Sequence, residues 1–312
     1  MGKICFQNIT KGIKEYFGSK FPNTSKHDVL IHSVFGKYDV GSFQGRRLFF
    51  SGENLYSKYR LVNVLAKLTK SKMIYLLPNF ILKIPLFRIY KKNLNYLMNM
   101  SSNDFAIICN DVKGKNIINI PYFMFTHEKK KLNQMIEIKK NNLYSKKKKF
   151  CAFIVSNPAS LDRIDFFKKL SKYKKVDSYG KVLRNISISK LPKYFIDNDK
   201  LYRNYKFVIC FENSYAKEYI TEKLPNVMMA NSIPIYRGAP NVGEYFNTKS
   251  FINYDDYGSY DKMIEKIIEL DQDDEKYQNF LKEPWFKNNK IPNKIKKKEE
   301  DLKKFYDKIF KE

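Results

Sequence analysis

The chain has 312 residues, of which 43% are hydrophobic and 16% aromatic, and this composition excludes disorder over most of its length. The length is sufficient for two domains that each bury a core. Lysine and arginine number 59 against 32 aspartates and glutamates, which gives a formal net charge of +27.

That positive charge favours nucleic acid, an anionic membrane surface or phosphorylated small molecules as partners. Lysine dominates the basic residues, however, and the sequence lacks the combination of arginine with aromatic residues that base-reading proteins use. We therefore interpret most of the lysines as solvated surface residues and expect no nucleic acid partner.

The first half of the chain predicts a parallel α/β unit. Short apolar runs that end in polar residues or in a glycine-containing turn are typical of buried parallel strands, and here they alternate with helical or irregular segments. The runs are KICF (3–6), DVLIHSVFG (28–36), RRLFFSGEN (46–54) and FAIICND (105–111).

After residue 149 the alternation starts again and predicts a second doubly wound α/β unit. Helices are expected over LDRIDFFKKLSKY (161–173), from about Thr221, and over SYDKMIEKIIEL (259–270). The strand candidates are KFCAFIVSNP (149–158), KVDSYG (175–180), YKFVICFEN (205–213), SIPIYRG (232–238) and KSFINYDD (249–256).

Two such units facing each other across a cleft are the architecture that this alternation predicts. We expect an N-terminal domain over 1–138, a lysine-rich linker over 139–149, a C-terminal domain over 150–290 and a basic amphipathic helix over 291–312. The helix has an apolar face that either docks against the body of the protein or lies in a membrane surface. That face comprises Leu302, Phe305, Tyr306, Ile309 and Phe310.

Four cysteines occur singly inside apolar runs, which predicts reduced core residues: Cys5, Cys109, Cys151 and Cys210. The sequence begins without a signal-peptide pattern and contains no stretch of transmembrane length. We therefore expect a cytoplasmic protein that contacts a membrane only peripherally, through the basic C-terminal helix.

A strand that runs into reactive side chains raises the question of a binding site. The strand in YKFVICFEN is followed by Tyr219, Glu222 and Lys223, with Thr221 as a candidate N-cap and Pro225 in the first helical turn. Ligands of open α/β sheets bind at the carboxyl ends of strands, and a helix N-terminus favours phosphate. These residues therefore fit a nucleotide, although an ordinary solvated first turn would use the same types.

Several segments resemble the α1,3/1,4-fucosyltransferases that use GDP-fucose, which form glycosyltransferase family 10. The resemblance is strong over about 149–286 and weaker over 1–148. It implies the GT-B fold, with two Rossmann-like doubly wound domains and the donor in the second. The matching segments are FVICFENS (207–214), YITEKL (219–224), SIPIYRGAPNV (232–242), NTKSFINYDD (247–256), CAFIVSNP (151–158), RRLFFSGEN (46–54) and IPLF (84–87).

The resemblance also implies residue roles. Glu53 matches the carboxylate taken as general base, Arg163 and Lys223 match the contacts to the GDP phosphates, and Glu222 matches the contact to the ribose. Arg163 and Lys223 are expected to stabilise the departing GDP and so to act catalytically. The remaining residues of the implied donor pocket are Asn213, Ser214 and Tyr219.

Such a cationic clamp can replace a metal, so no cofactor is expected to be required and a divalent metal would at most stimulate the reaction. A competing signal is IDND (196–199), in which Asp197 and Asp199 imitate a metal-binding DxD motif. We interpret it as a surface segment. The histidines His27, His32 and His127 lack the spacing of metal ligands.

The chain departs from the family pattern in two places, 215–218 (YAKE) and 55–78, and the second leaves the acceptor side open. The implied activity is transfer of fucose from GDP-fucose with inversion, to an N-acetylglucosamine hydroxyl of a lactosamine-type glycan in an α1,3 link. Glu53 could instead pair with Arg46 or Arg47. The alternatives for the whole chain are another nucleotide-sugar donor, a relative without activity, or a basic nucleic-acid-binding protein.

Overall fold

The computed structural model describes residues 2–7, 9–22, 24, 28–33, 42–53, 96–141, 147–156, 161–186 and 198–312. In these residues the chain forms two parallel five-stranded sheets, one in each half. This is the α/β architecture that the sequence predicts. Several predicted features lie outside the described residues: the segments 55–78 and 84–87, His27 and Asp197.

The first sheet contains the four predicted strands and one that was not predicted. Its strand order follows the sequence, and every neighbouring pair is parallel. The strands are β1 (Ile4–Gln7), β2 (Val29–Ser33), β3 (Arg46–Ser51), β4 (Asp104–Ile108) and the unpredicted β5 (Ile117–Asn119). Within the described ranges of this half, the helices include α1 (Lys11–Lys20), α2 (Phe123–Thr126) and α3 (Lys129–Lys140).

The second sheet contains the five predicted strands, and their spatial order is β10-β9-β8-β6-β7. The order reverses between β6 and β8, so connections leave these two strands toward opposite sides. In a doubly wound sheet, such a reversal opens a crevice at the carboxyl ends of the strands. The strands are β6 (Lys149–Phe153), β7 (Val176–Ser178), β8 (Tyr205–Ile209), β9 (Ile233–Tyr236) and β10 (Ile252–Asn253).

The helices described in the second half include the four predicted ones and three that were not predicted. They are α4 (Leu161–Leu170), α5 (Asp199–Tyr202), α6 (Lys223–Met229), α7 (Tyr254–Tyr257), α8 (Tyr260–Gln272), α9 (Asp274–Lys282) and α10 (Asn293–Phe310). The core strands are almost completely buried on both faces, as expected for parallel sheets covered by helices.

The boundary of the predicted linker differs from the observed elements. Helix α3 continues through Lys140, and β6 begins at Lys149. Lys139 is buried rather than solvated, because its ammonium lies 3.4 Å from the centre of the Trp285 ring and donates to the Leu281 carbonyl. A lysine run therefore does not by itself mark a linker when an aromatic ring can receive one of its cations.

The C-terminal helix α10 docks against the N-terminal domain. The ring of Phe310 stacks on that of Phe21 with centroids 4.2 Å apart, and Phe305 meets Phe105 edge to face at 5.8 Å. Arg46 donates to the backbone carbonyls of the last helical turn. The apolar face is thus covered by protein, which corrects the alternative in which that face lies in a membrane. No helix within the described ranges has the length and apolar character that a membrane crossing requires.

The cysteines are free thiols, as expected, but one of them is not a core residue. Cys109, Cys151 and Cys210 are buried, whereas Cys5 is exposed. The reason is that β1 is an edge strand of its sheet, so one side of it lacks a neighbouring strand. Burial raises the pKa of the three core thiols.

Docking of α10 has a measurable consequence for stability. Replacing the buried Ile309 by alanine should lower the free energy of unfolding by about 2–5 kcal/mol, because it leaves a cavity beneath the helix. The matched control is the exposed Lys303→Ala on the same helix, which should change it by about 0.5 kcal/mol or less. Urea denaturation measures both, and equal small effects would mean that α10 is not part of the folded core.

Candidate active site

Polar side chains gather at the carboxyl edge of the second sheet, where its strand order reverses. The loop after β8 carries Glu212 to Glu222 and leads into α6, while Arg163 comes from α4, which follows β6. The loop begins as an extension of the sheet, because the Glu212 N–H donates to the Arg237 carbonyl at 2.8 Å. We call Arg163, Glu212, Glu222 and Lys223 the polar cluster.

The carboxylate of Glu212 is completely buried and organises the cluster. It accepts hydrogen bonds from the Thr221 backbone N–H at 2.7 Å and from the Thr221 hydroxyl at 2.8 Å. It also accepts one from the Lys223 ammonium at 3.1 Å. These charge-assisted bonds offset the cost of removing the carboxylate from water. Glu212 therefore fixes the end of the loop against the start of α6.

The ammonium of Lys223 is fixed in position but still accessible. It donates to the Thr221 hydroxyl at 2.8 Å, and its side chain is 27% exposed. Burial lowers the pKa of Lys223, but the Glu212 and Glu222 carboxylates raise it by more, so its pKa lies above the ordinary value. Lys223 therefore presents a full positive charge at neutral pH.

Thr221 has a different role from the predicted one. The structure places the N-cap of α6 at Glu222 and finds no side-chain capping bond there. The Thr221 hydroxyl is directed to Glu212 instead, because the buried carboxylate is the stronger acceptor. Pro225 lies within the first turn of α6, as predicted. Glu222 is 15% exposed, with its carboxylate 3.9 Å from the Lys223 ammonium.

Arg163 supplies the second cation of the cluster, and only 3% of its surface is exposed. One of its terminal nitrogens donates to the side-chain oxygen of Asn213. Its Nε is buried without a hydrogen-bond partner among the described residues. Burial lowers the pKa of the guanidinium, and the nearby Glu212 and Glu222 carboxylates oppose this shift. A bound ligand with an acceptor atom would satisfy this buried donor.

The other predicted pocket residues lie around this cluster. Tyr219 is 1% exposed, Ser214 is buried and Asn213 is half-buried. Burial raises the pKa of the Tyr219 phenol, and the Glu53 and Glu212 carboxylates raise it further. Tyr219 is therefore an uncharged group between acids from both halves of the chain.

Glu53, the predicted base, follows β3 in the first sheet and is half-buried. Its N–H donates to the Ser51 hydroxyl at 3.2 Å, which defines a tight turn. Because the Glu53 carboxylate raises the pKa of Tyr219, it acts electrostatically on the opposite domain. The two arginines considered as alternative partners of Glu53 contact other groups: Arg47 donates to Asp104 at 2.6 Å, and Arg46 donates to carbonyls of α10.

Tyr122 of the first domain lies within electrostatic range of an acid on the second domain. The pKa of the Tyr122 phenol is raised by burial and then by the Glu222 carboxylate across the cleft. A Cβ atom added at Gly52 would lie 2.7 Å from the Tyr122 ring, so the chain before Glu53 requires glycine. The structure thus brings together the predicted residues from both domains: Glu53, Arg163, Asn213, Ser214, Tyr219, Glu222 and Lys223.

Glu218 is an important residue that the sequence did not reveal. It is 3% exposed, has a positive φ of 66°, and accepts hydrogen bonds from Tyr245 and from Asn241 at 2.9 Å. The ammonium of Lys298 in α10 lies 3.5 Å from it and also donates to the Asn119 carbonyl of the first sheet. The residue before Tyr219 is therefore tied to both domains. No local pattern indicates this, because the partners are distant in sequence.

The described residues considered for metal binding have other interactions. Asp199 pairs with Arg203 at 3.1 Å, and its predicted companion Asp197 is not described. His32 and His127 are buried, and burial lowers their pKa values to about 4 and about 3. Within the described ranges, no group of three or more histidine, cysteine or acidic residues could hold a metal ion.

Comparison with known families and proteins locates this site within a recognised domain. The sequence profile described as "Glycosyltransferase family 10 (fucosyltransferase) C-term" matches residues 144–308. An α-(1,3)-fucosyltransferase of Helicobacter pylori is 33% identical over 138 residues, which are 44% of this chain and 28% of that protein. A GDP-fucose protein O-fucosyltransferase 3 of Xenopus laevis is 31% identical over 173 residues, 53% of this chain and 36% of that protein.

The chain therefore matches only about a quarter to a third of the length of these curated relatives. Its fold can be compared over a longer range. A crystal structure of an α1,3-fucosyltransferase with GDP-fucose superposes with a TM-score of 0.60 at 21% sequence identity. The match covers 99% of this chain and 92% of that one. This likeness establishes the GT-B fold, with two parallel α/β domains that face each other.

The buried ion pair predicts a specific loss of stability. Changing Glu212 to glutamine keeps the shape and one acceptor oxygen but removes the charge that Lys223 and Thr221 share. We expect the free energy of unfolding to fall by about 1.5–3 kcal/mol, the range for hydrogen bonds to charged groups.

The matched control is Asp261→Asn, which removes the charge from an exposed pair with Lys169 and should cost about 0–1 kcal/mol. Urea denaturation at neutral pH compares the two variants. If Glu212→Gln costs no more than Asp261→Asn, Glu212 does not organise the site.

Proposed function

This chain belongs to glycosyltransferase family 10, the fucosyltransferases, and from that premise we propose that it transfers fucose from GDP-fucose to an acceptor hydroxyl with inversion at the anomeric carbon. The observation that carries the proposal is the pair of fixed cations at the carboxyl edge of the second sheet, the buried Arg163 and the partly exposed Lys223. Two fixed cations of this kind suit a diphosphate.

The donor would occupy the polar cluster. Its pyrophosphate oxygens would accept hydrogen bonds from Lys223 and from the unsatisfied Nε of Arg163. Glu222 would then accept hydrogen bonds from the ribose hydroxyls, and Asn213 and Ser214 would line the pocket beside Arg163. Glu212 would not contact the donor, because Thr221 and Lys223 already occupy it.

The chemistry requires a base opposite the leaving group. An acceptor hydroxyl is a weak nucleophile, so a carboxylate must take its proton as the new bond to the anomeric carbon forms. Glu53 is suited to this role, because it lies on the first domain within electrostatic range of Tyr219 on the second. As the fucose bond to the β-phosphate breaks, the charge on GDP grows, and Arg163 and Lys223 stabilise it. A single displacement inverts the configuration.

For the acceptor, we propose a glycan that receives fucose in an α1,3 link to N-acetylglucosamine of a lactosamine-type chain. A relative named as an α-(1,3)-fucosyltransferase supports this choice. A second candidate is a protein acceptor, supported by the relative named as a protein O-fucosyltransferase. Peptide and N-acetyllactosamine acceptors offered with labelled GDP-fucose distinguish the two.

Three further expectations belong to the proposal. Metal is not required, because the two cations can bind the diphosphate, and activity should persist in EDTA.

The cytoplasm is the proposed location, supported by free cysteines, three of them buried. Exposed lysines of α10 could contact an anionic membrane surface, and vesicle co-sedimentation tests this. A nucleic-acid-binding function would instead give duplex or single-strand binding with a steep salt dependence.

The role of Glu53 gives the direct test of the proposal. Glu53→Gln should lower the turnover of fucosyl transfer by about 10²–10⁴-fold, the contribution of a positioned base. Its affinity for GDP should stay within about twofold, because Glu53 lies outside the polar cluster. The matched control is the exposed Glu265→Gln on α8, which should retain full turnover.

The assay follows transfer from GDP-fucose, with GDP-mannose and UDP-sugars as comparison donors. Unchanged turnover in Glu53→Gln would remove this residue from the role of base. Preference for any donor other than GDP-fucose would overturn the proposed reaction.

A further inference from the structure

An exposed aromatic residue stands beside the polar cluster and takes no part in the proposed donor contacts. Tyr215 is 44% exposed, and among the described residues it is the one aromatic side chain in the set of strongly exposed large hydrophobic residues. It lies in the segment 215–218, where the sequence departs from the family pattern. A single exposed ring is common on protein surfaces, so the case for a binding site rests on the groups around it.

The Tyr215 ring is held by charged groups rather than by apolar packing alone. Its hydroxyl donates to the Asp255 carboxylate at 3.2 Å. The guanidinium of Arg237 lies 5.7 Å from the Tyr215 ring centre and 5.1 Å from that of Tyr254. Arg237 in turn donates to the Asp162 carboxylate at 2.8 Å. We call Tyr215, Arg237 and Asp255 the aromatic platform.

The platform is continuous with the polar cluster. Asp162 directly precedes Arg163, Tyr215 follows Asn213 by two residues, and the carbonyl of Arg237 accepts from the Glu212 N–H at 2.8 Å. A ligand bound at the cluster and a second ligand on the platform would therefore lie side by side. This is the arrangement that a transferase needs for two substrates.

The chemistry of the platform suits a saccharide. One face of a sugar ring carries C–H groups that pack on an aromatic ring, while its hydroxyls donate and accept hydrogen bonds at the edge. The Tyr215 ring offers the first, and Asp255 and Arg237 offer the second. Arg237 has spare capacity, because its buried Nε has no hydrogen-bond partner among the described residues.

We propose that the aromatic platform is a subsite for the acceptor saccharide, with Tyr215 as its stacking surface. The proposal rests on the proposed function, because it assigns a place to the second substrate of that reaction. The competing occupant is the guanine base of the donor, which could also stack on a tyrosine. The two differ in which substrate loses affinity when the ring is removed.

Steady-state kinetics with N-acetyllactosamine as the varied acceptor tests the assignment. Tyr215→Ala should raise the acceptor KM by about 10-fold or more, as the loss of a stacking anchor does, while the Kd of GDP measured by calorimetry stays within about twofold. Tyr215→Phe keeps the ring and should restore the acceptor KM to within about threefold of wild type. Met98→Ala, which removes an exposed apolar side chain from the first domain, is the matched control and should change neither constant.

Saturation-transfer NMR measures saccharide binding at the subsite in the absence of turnover. N-acetyllactosamine added to the GDP-bound protein should give a signal that is lost in Tyr215→Ala and kept in Tyr215→Phe. This NMR result supports saccharide binding at the platform even if the wild-type protein does not transfer fucose from GDP-fucose. A failure of the proposed reaction can therefore be distinguished from a failure of the proposed subsite. An unchanged acceptor KM in Tyr215→Ala, a weakened Kd for GDP, or no saccharide signal with wild type would each overturn the proposal.

Discussion

A carboxylate buried without any exposure, that of Glu212, is the constraint on which the site depends. A buried charge is tolerated only when partners replace its water, and here Thr221 and Lys223 do so at 2.7–3.1 Å. Space around it is also limited, since a Cβ atom at Gly238 would come within 2.6 Å of the Glu212 side chain. The hydrogen bond from Lys223 to Glu212 both stabilises the buried carboxylate and fixes the position of the Lys223 ammonium at the crevice. The stability of the fold and the placement of this cation therefore depend on the same contact.

Contacts between the two domains keep residues of both domains at this crevice. Backbone bonds join them directly, since the Phe123 N–H donates to the Ile220 carbonyl at 3.1 Å. Lys298 of α10 spans from Glu218 in the loop to the Asn119 carbonyl of the first sheet. The loop before Tyr219 therefore depends on a helix at the far end of the sequence. A GT-B enzyme needs such ties if a base on one domain is to meet a donor on the other.

Local patterns were sufficient for much of the fold and for the position of the polar cluster at the carboxyl edge of the second sheet, whereas Glu53, Arg163 and Asn213 were predicted from the family resemblance. Continuous apolar runs such as those of β3 and β8 identify buried strands, and the residues after them identify the carboxyl edge. The roles of Thr221 and Glu218 were not predictable, because both depend on partners fixed by tertiary structure: a buried carboxylate and the lysines of α10. For the same reason, a lysine run could not reveal that Lys139 lies on Trp285.

The central claim is that Lys223, oriented by Glu212, binds the diphosphate of a guanosine nucleotide. Calorimetry of GDP and of guanosine with wild type and with Lys223→Met, in protein whose circular dichroism shows it folded, tests this most directly. We predict that Lys223→Met weakens GDP binding by about 10-fold or more and leaves guanosine binding unchanged, while the exposed Lys262→Met matches wild type. GDP affinity in Lys223→Met equal to that of wild type would contradict the account.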